Sequence, residues 1–187
     1  PLVCDGRMFF IINNEIHALD VYTGYPLWKT TLPQSLKTKN RLQEHFTGRR
    51  NTANNYIATS DILYILLESS CLKIDPATGA QIGELTTPPL LENVSEQKLL
   101  NWHEARVWED MLLVNIGNYL VCMDRRNGIM QWKVKTNKDR FNFAVGGDKV
   151  FFVDYWLPNR RKKIIERESK IRAFDIASGR LLWDIST

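Results

Sequence analysis

The sequence predicts an all-β chain of about four four-stranded antiparallel meanders, and three observations carry this. One phrase is written four times: ALDVYTGYPLW at 18–28, KIDPATGAQIG at 73–83, CMDRRNGIMQW at 122–132 and AFDIASGRLLW at 173–183. A short polar turn lies upstream of each phrase, at Asp5-Gly6, Ser60-Asp61, Glu109-Asp110 and Gly147-Asp148. Short apolar runs follow those turns, bounded by further turn residues, which favours buried strands over helices.

The register between the two landmarks is regular. Gly6 and Gly24, Asp61 and Gly79, and Asp110 and Gly128 are each eighteen residues apart. Asp148 and Gly179 are separated by thirteen residues more, so the fourth repeat carries an insertion. The repeat units run over approximately 1–32, 55–86, 104–136 and 142–187, within a single domain of 187 residues. A repeat of about fifty residues indicates a solenoid, propeller or array.

Each repeat then reads in order. A first short strand precedes the turn, as at 56–59 and 105–108. The second strand is the apolar run at 8–12, 62–67, 111–116 and 150–153. Asn13-Asn14, Ser69-Ser70 and Gly117-Asn118 turn the chain into a third strand that ends at the phrase Asp. Asp20, Asp75, Asp124 and Asp175 make the next turn with Gly24, Gly79, Gly128 and Gly179. Asp bonds its own backbone in such turns and Gly supplies a positive φ, so these carboxylates are turn formers and not catalytic acids. The fourth strand carries Trp28, Trp132 and Trp183, with Gly83 in the second repeat. The three indoles are expected to be largely buried between repeats, since a Trp covers on the order of 200 Å². The best place for a short helix is 92–100.

Four-stranded meanders at this period are the blades of a β-propeller, whose sheets are covered on both faces. The phrase A-x-D-x-x-(T/S)-G-x-x-x-W resembles the repeat of PQQ-like, quinoprotein-type propellers, and the resemblance covers essentially the whole chain. It implies a ring that in this family is often eight-bladed. Four blades would be a fragment of about half of it, completed by further sequence or by self-association.

Composition is that of a globular chain, and no apolar run is long enough to span a membrane. Cys4, Cys71 and Cys122 are odd in number and form no CxxC pair, and His17, His45 and His103 are scattered, so no metal site is expected. The net charge of +4 is matched by the insertion at 155–170, where Arg160, Arg161, Lys162, Lys163, Arg167 and Lys170 face only Glu166 and Glu168. No nucleic-acid signature accompanies it.

Function is expected on the long connections, which all leave one end of the blades. The candidate binding surface is Arg49, Arg50, Asn51, Asn54, Asn55, Trp102, Glu104, Arg140 and Asn142, with Arg160, Arg161, Lys162 and Lys163 at its rim. Its partner is expected to be a protein or an acidic ligand. The family's enzymes combine adjacent cysteines, a Trp on the quinone and acidic ligands for calcium. This chain has no Cys-Cys pair and no acidic cluster, so no cofactor and no catalytic residue is assigned. The leading reading is a non-catalytic binding or assembly platform. The resemblance there includes bacterial envelope-assembly lipoproteins and so implies the cell envelope or periplasm. The alternative is a segment of a PQQ-dependent oxidoreductase whose catalytic blades lie outside the chain. A further variant is a propeller region of a large bacterial protein with a methyltransferase domain, of which no motif is present here.

Overall fold

Sixteen strands form four separate four-stranded antiparallel sheets in a computed structural model that describes residues 1–33, 56–90, 100–137, 141–155 and 169–186. The first sheet is β1 (Leu2–Cys4), β2 (Arg7–Ile12), β3 (Glu15–Asp20) and β4 (Pro26–Thr31). The second is β5 (Tyr56–Ala58), β6 (Leu63–Leu66), β7 (Ser70–Ile74) and β8 (Gln81–Thr86). The third is β9 (Trp102–Trp108), β10 (Met111–Ile116), β11 (Tyr119–Asp124) and β12 (Met130–Lys135). The fourth is β13 (Phe143–Gly146), β14 (Lys149–Tyr155), β15 (Ser169–Asp175) and β16 (Leu181–Ser186). Strand order follows chain order in every sheet, so each is a simple meander. Among the described residues there is no helix; the segment considered for one lies outside them, apart from Leu100.

The turns show why these residues form hairpins. Asp5 and Gly6 have φ of 48° and 70°, and Asn13 and Asn14 have 50° and 66°. Two successive left-handed residues match the twist of the flanking strands. In the phrase, Asp20 Oδ1 accepts from the backbone N–H of Tyr22 (3.1 Å) and of Thr23 (2.8 Å) and from the Thr23 hydroxyl (2.8 Å). Asp75, Asp124 and Asp175 do the same for the residues that follow them. In Asp20, Asp75 and Asp175 those bonds favour the ionised carboxylate. The Thr23 hydroxyl is the main cause of the lowered pKa of Asp20, the Ala77 amide that of Asp75, and the Ser178 hydroxyl that of Asp175.

All four sheets have a bulge at one place, between Ala18 and Leu19, Lys73 and Ile74, Cys122 and Met123, and Ala173 and Phe174. The bulge sets the phrase tryptophan opposite a small residue: Trp28 faces Ala18, Trp132 faces Cys122 and Trp183 faces Ala173. In the second repeat the sizes are reversed. Gly83 faces Lys73, whose side chain fills the space that a Cβ at Gly83 would enter.

The strands divide into two compact units, Pro1–Thr87 and Pro88–Thr187, of two sheets each. In the first, Phe9, Ile16 and Ala18 pack with Leu63, Ile65 and Ile74. Trp28 donates from Nε1 to the Pro76 carbonyl at 3.0 Å and lies over Gly79. In the second, Leu113, Leu120 and Cys122 pack with Val150, Phe152 and Phe174. Trp132 donates to the Ile176 carbonyl at 2.9 Å and lies over Gly179. Both glycines are needed twice over: their φ is 75° and 68°, and a Cβ on either would come within 2.5 Å of the indole.

The expectation of three buried indoles holds for Trp132, which is 9% exposed, and partly for Trp28, which is half-buried. It fails for Trp183, which is 40% exposed. The reason is positional. Trp28 and Trp132 each lie on the sheet that follows within their unit, and no described residue follows β16 to cover Trp183.

Candidate binding surface

In a meander, the turn between the second and third strands leaves the same end of the sheet as the chain that connects repeats. In the second unit this end is lined by Trp102, Ile116, Tyr119 and Lys135, which stand in register across the third sheet. Backbone bonds stitch the connecting chain to the turn: Gly117 N–H donates to Asn101 (2.9 Å), and the Thr136 N–H and hydroxyl both donate to the Asn118 carbonyl (2.8 and 3.0 Å). The first unit does likewise, with Asn14 Nδ2 donating to Leu32 and the Thr87 hydroxyl to Ser69.

A buried ionic cluster stands at this end of the fourth sheet. Asp154 is 4% exposed and accepts three bonds: from Arg172 Nη1 at 3.2 Å, and from the Asn137 backbone and side-chain N–H groups at 3.0 Å each. The Arg172 guanidinium lies 5.1 Å from the Phe174 ring centroid and 6.0 Å from that of Phe152. Asp154 thereby ties the connection at Asn137 to the hairpin of β14 and β15. That hairpin is paired as far as Tyr155 and Ser169, and the basic insertion lies between these two residues in the sequence. Residues 156–168 themselves lie outside the described part.

Of the sequence candidates, Trp102 is buried at the start of β9. Glu104, on the same strand, pairs with Arg106, whose guanidinium lies 5.7 Å from the Phe143 ring centroid of the next sheet. Burial pushes the Glu104 carboxyl up, and the Arg106 charge opposes this. Asn142 is exposed just before β13. Arg49, Arg50, Asn51, Asn54, Asn55, Arg140, Arg160, Arg161, Lys162 and Lys163 lie outside the described residues. The structure adds Asp154, Arg172 and Asn137. The available signal was an Asp closing an apolar run directly ahead of a basic insertion.

The chemistry at this end is that of support. Asp154 and Glu104 are each held by a neighbouring cation, and Asp154 also by an amide, which orients the segments they join. Cys71 and Cys122 are buried on separate strands, with burial pushing the Cys71 thiol far up and that of Cys122 to about 12. Among the described residues, no three of His, Cys, Asp and Glu stand together as metal ligands.

The chain as a whole superposes on solved β-propeller structures. BamB from Moraxella catarrhalis matches with a TM-score of 0.54 at 14% identity, over 98% of this chain and 50% of that one. The fold is a β-propeller. A second PQQ-like propeller match is the quinohemoprotein alcohol dehydrogenase ADHIIG from Pseudomonas putida HK5, with a TM-score of 0.64 at 15% identity, over 100% of this chain and 33% of that one. The WD40 domain of Neurospora crassa Pan2 matches with a TM-score of 0.59 at 10% identity, over 97% of this chain and 49% of that one. The propeller described here thus spans half or less of the chains it resembles. No family model and no curated protein matches the sequence.

Proposed function

We propose that the chain is a non-catalytic stretch of propeller that serves as a binding platform and presents its long connections at one end of the blades. The observation that carries this is the anchoring of those connections. Asp154 with Arg172 and Asn137, Thr136 on Asn118, and Glu104 with Arg106 spend the polar groups of this end on holding segments in place. The ligand-facing set is then Arg49, Arg50, Asn51, Asn54, Asn55, Arg140 and Asn142, with Arg160 to Lys163 at the rim and the buried Trp102 and half-buried Glu104 as supports. A cationic rim suits a protein with an acidic face or another polyanionic ligand.

The whole-chain similarity to the alcohol dehydrogenase favours a second reading, a segment of a PQQ-dependent oxidoreductase. The described residues do not fit a quinone or calcium site: Cys4, Cys71 and Cys122 stand on three different strands, and the phrase carboxylates are bound into turns. One experiment separates the readings. Calorimetric titration with poly-glutamate should show binding that weakens with salt and is lost when Arg160, Arg161, Lys162 and Lys163 are changed to Ser, with thermal stability unchanged. Titration with pyrroloquinoline quinone and calcium should show none. Quinone absorbance with dye-linked alcohol oxidation would overturn the platform reading.

A further inference from the structure

The two units use the same joint between their sheets, and one end of it differs. At the end of the phrase turns the joints match: Trp28 is bonded to Pro76 and lies over Gly79, and Trp132 is bonded to Ile176 and lies over Gly179. At the end of the long connections the first joint is aliphatic, with Ile11, Leu32, Leu67 and Leu72 buried in one cluster. The second unit replaces all four by polar residues. Asn115 stands where Ile11 does, fifth after its turn residue, and Thr136 where Leu32 does, eighth after its phrase glycine. Asp154 matches Leu67, sixth after the turn residue, and Arg172 matches Leu72, third before the phrase Asp. Asn115, Thr136 and Asp154 are buried, so these remain core positions.

The replacement leaves hydrogen-bonding capacity unmet. Thr136 bonds Asn118, and Asp154 is held by Arg172 and Asn137. Asn115 donates from Nδ2 to the Gly117 and Tyr119 carbonyls at 2.9 and 3.3 Å, but among the described residues nothing donates to its buried Oδ1. Arg172 Nε is likewise buried with no acceptor. The third atom of this kind, Asn14 Oδ1, belongs to the β2–β3 turn of the first unit. A buried polar atom without a partner costs more than a formed bond returns, and water satisfies it once the packing opens. The Asp154–Arg172 pair does not offset this, because a buried ion pair is often no more stabilising than apolar side chains of the same volume. The first unit shows that the joint forms without any of these polar groups.

We propose that the second joint is a hinge. Its connection end parts and admits water to Asn115 and Arg172, while its phrase end stays closed on Trp132. Asp154 keeps its hold on Arg172 and Asn137, so the start of the connection at Asn137 moves with the fourth sheet and away from Asn115. The first joint, apolar to its end, lacks this motion. The opening lies at the end where the platform reading places its partner, but it does not depend on that reading.

Thiol labelling tests this, since a buried cysteine reacts with a small disulfide reagent only when the packing around it opens. Leu120 and Ile16 are equivalent: each is fourth before its phrase Asp, fully buried, and paired with Asn115 or Ile11. Leu120→Cys and Ile16→Cys are made in the whole chain, and the labelled site is read by peptide mass spectrometry. The thiol at 120 is expected to react at least ~10-fold faster than the thiol at 16, the factor for one unmet buried bond. Cys122, paired with Trp132, is expected to stay protected. Asn115→Ile, Thr136→Leu, Asp154→Leu and Arg172→Leu together are expected to slow labelling at 120 to the rate at 16, with unchanged circular dichroism. If that variant fails to fold, Asn115→Ile alone is expected to slow labelling at 120 several-fold. Equal rates at 120 and 16, a rate at 120 that the apolar changes leave unaltered, or Cys122 reacting as fast as the thiol at 120 would overturn the proposal.

Discussion

Trp132 and Trp183 hold the same place in their repeats and differ in what lies beyond them. Trp132 spends its ring on Gly179 and its Nε1 on the Ile176 carbonyl, whereas Trp183 leans on Phe151 with ring centroids 6.0 Å apart and keeps its other side open. Truncation should follow that difference. Trp132→Ala is expected to cost about 3–5 kcal/mol in chemical denaturation, as a buried ring lost from a packed joint. Trp183→Ala is expected to cost about 1 kcal/mol. Equal losses at the two sites would mean that the ring on the following glycine adds nothing. A second residue-scale effect concerns protons. The carboxylates of Asp20, Asp75 and Asp175 have pKa values lowered by turn hydrogen bonds, so the unfolded chain takes up protons first as pH falls. Their contribution to stability is complete above the unfolded value of about 4 and is lost as pH drops through the folded values. Changing all three to Asn should flatten the fall in stability between about pH 5 and pH 3, measured as denaturation midpoints.

At the scale of the element, the Asp-x-x-x-Gly turn is both a reversal and a docking pad, and glycine substitutions separate the two roles. Gly24→Ala meets only the left-handed φ and should cost about 1–2 kcal/mol in the single chain. Gly179→Ala meets the same backbone penalty and also a Cβ 2.5 Å from the Trp132 ring, so about 2–4 kcal/mol is expected. Thermal melts of the two variants check the order. This element was legible in the sequence because its chemistry is local: a carboxylate bonding amides two and three residues on, and a glycine with positive φ, repeat at fixed spacing. The strands between were legible for the same reason, bounded as they are by turns. The exposure of Trp183 was not legible, because its phrase has the same Asp, Gly and Trp spacing as that of Trp132 and the difference lies in what packs against each ring. Nor was the Asp154–Arg172 pair, since the hairpin register that joins them spans the insertion.

For the whole molecule, capture of a polyanion by the cationic segments that hold Arg49, Arg50 and Arg160 to Lys163 should weaken steeply as salt rises, because exposed charges are screened over ~8 Å at 0.15 M ionic strength. Calorimetry across a salt series checks this, and affinity that does not change with salt would rule out the cationic contact.

The uncovered Gly24 has a consequence for what the chain can tolerate. Asparagine enters the left-handed region far more readily than other side chains, so at an open turn it is a workable replacement for glycine. Beneath an indole it is not, whatever its backbone preference. A saturation library scored for folding in dilute solution should therefore accept Asn at Gly24 and reject it at Gly79 and Gly179. The substitution profile of a phrase glycine would then act as a footprint of its neighbour, recording whether an indole lies over it.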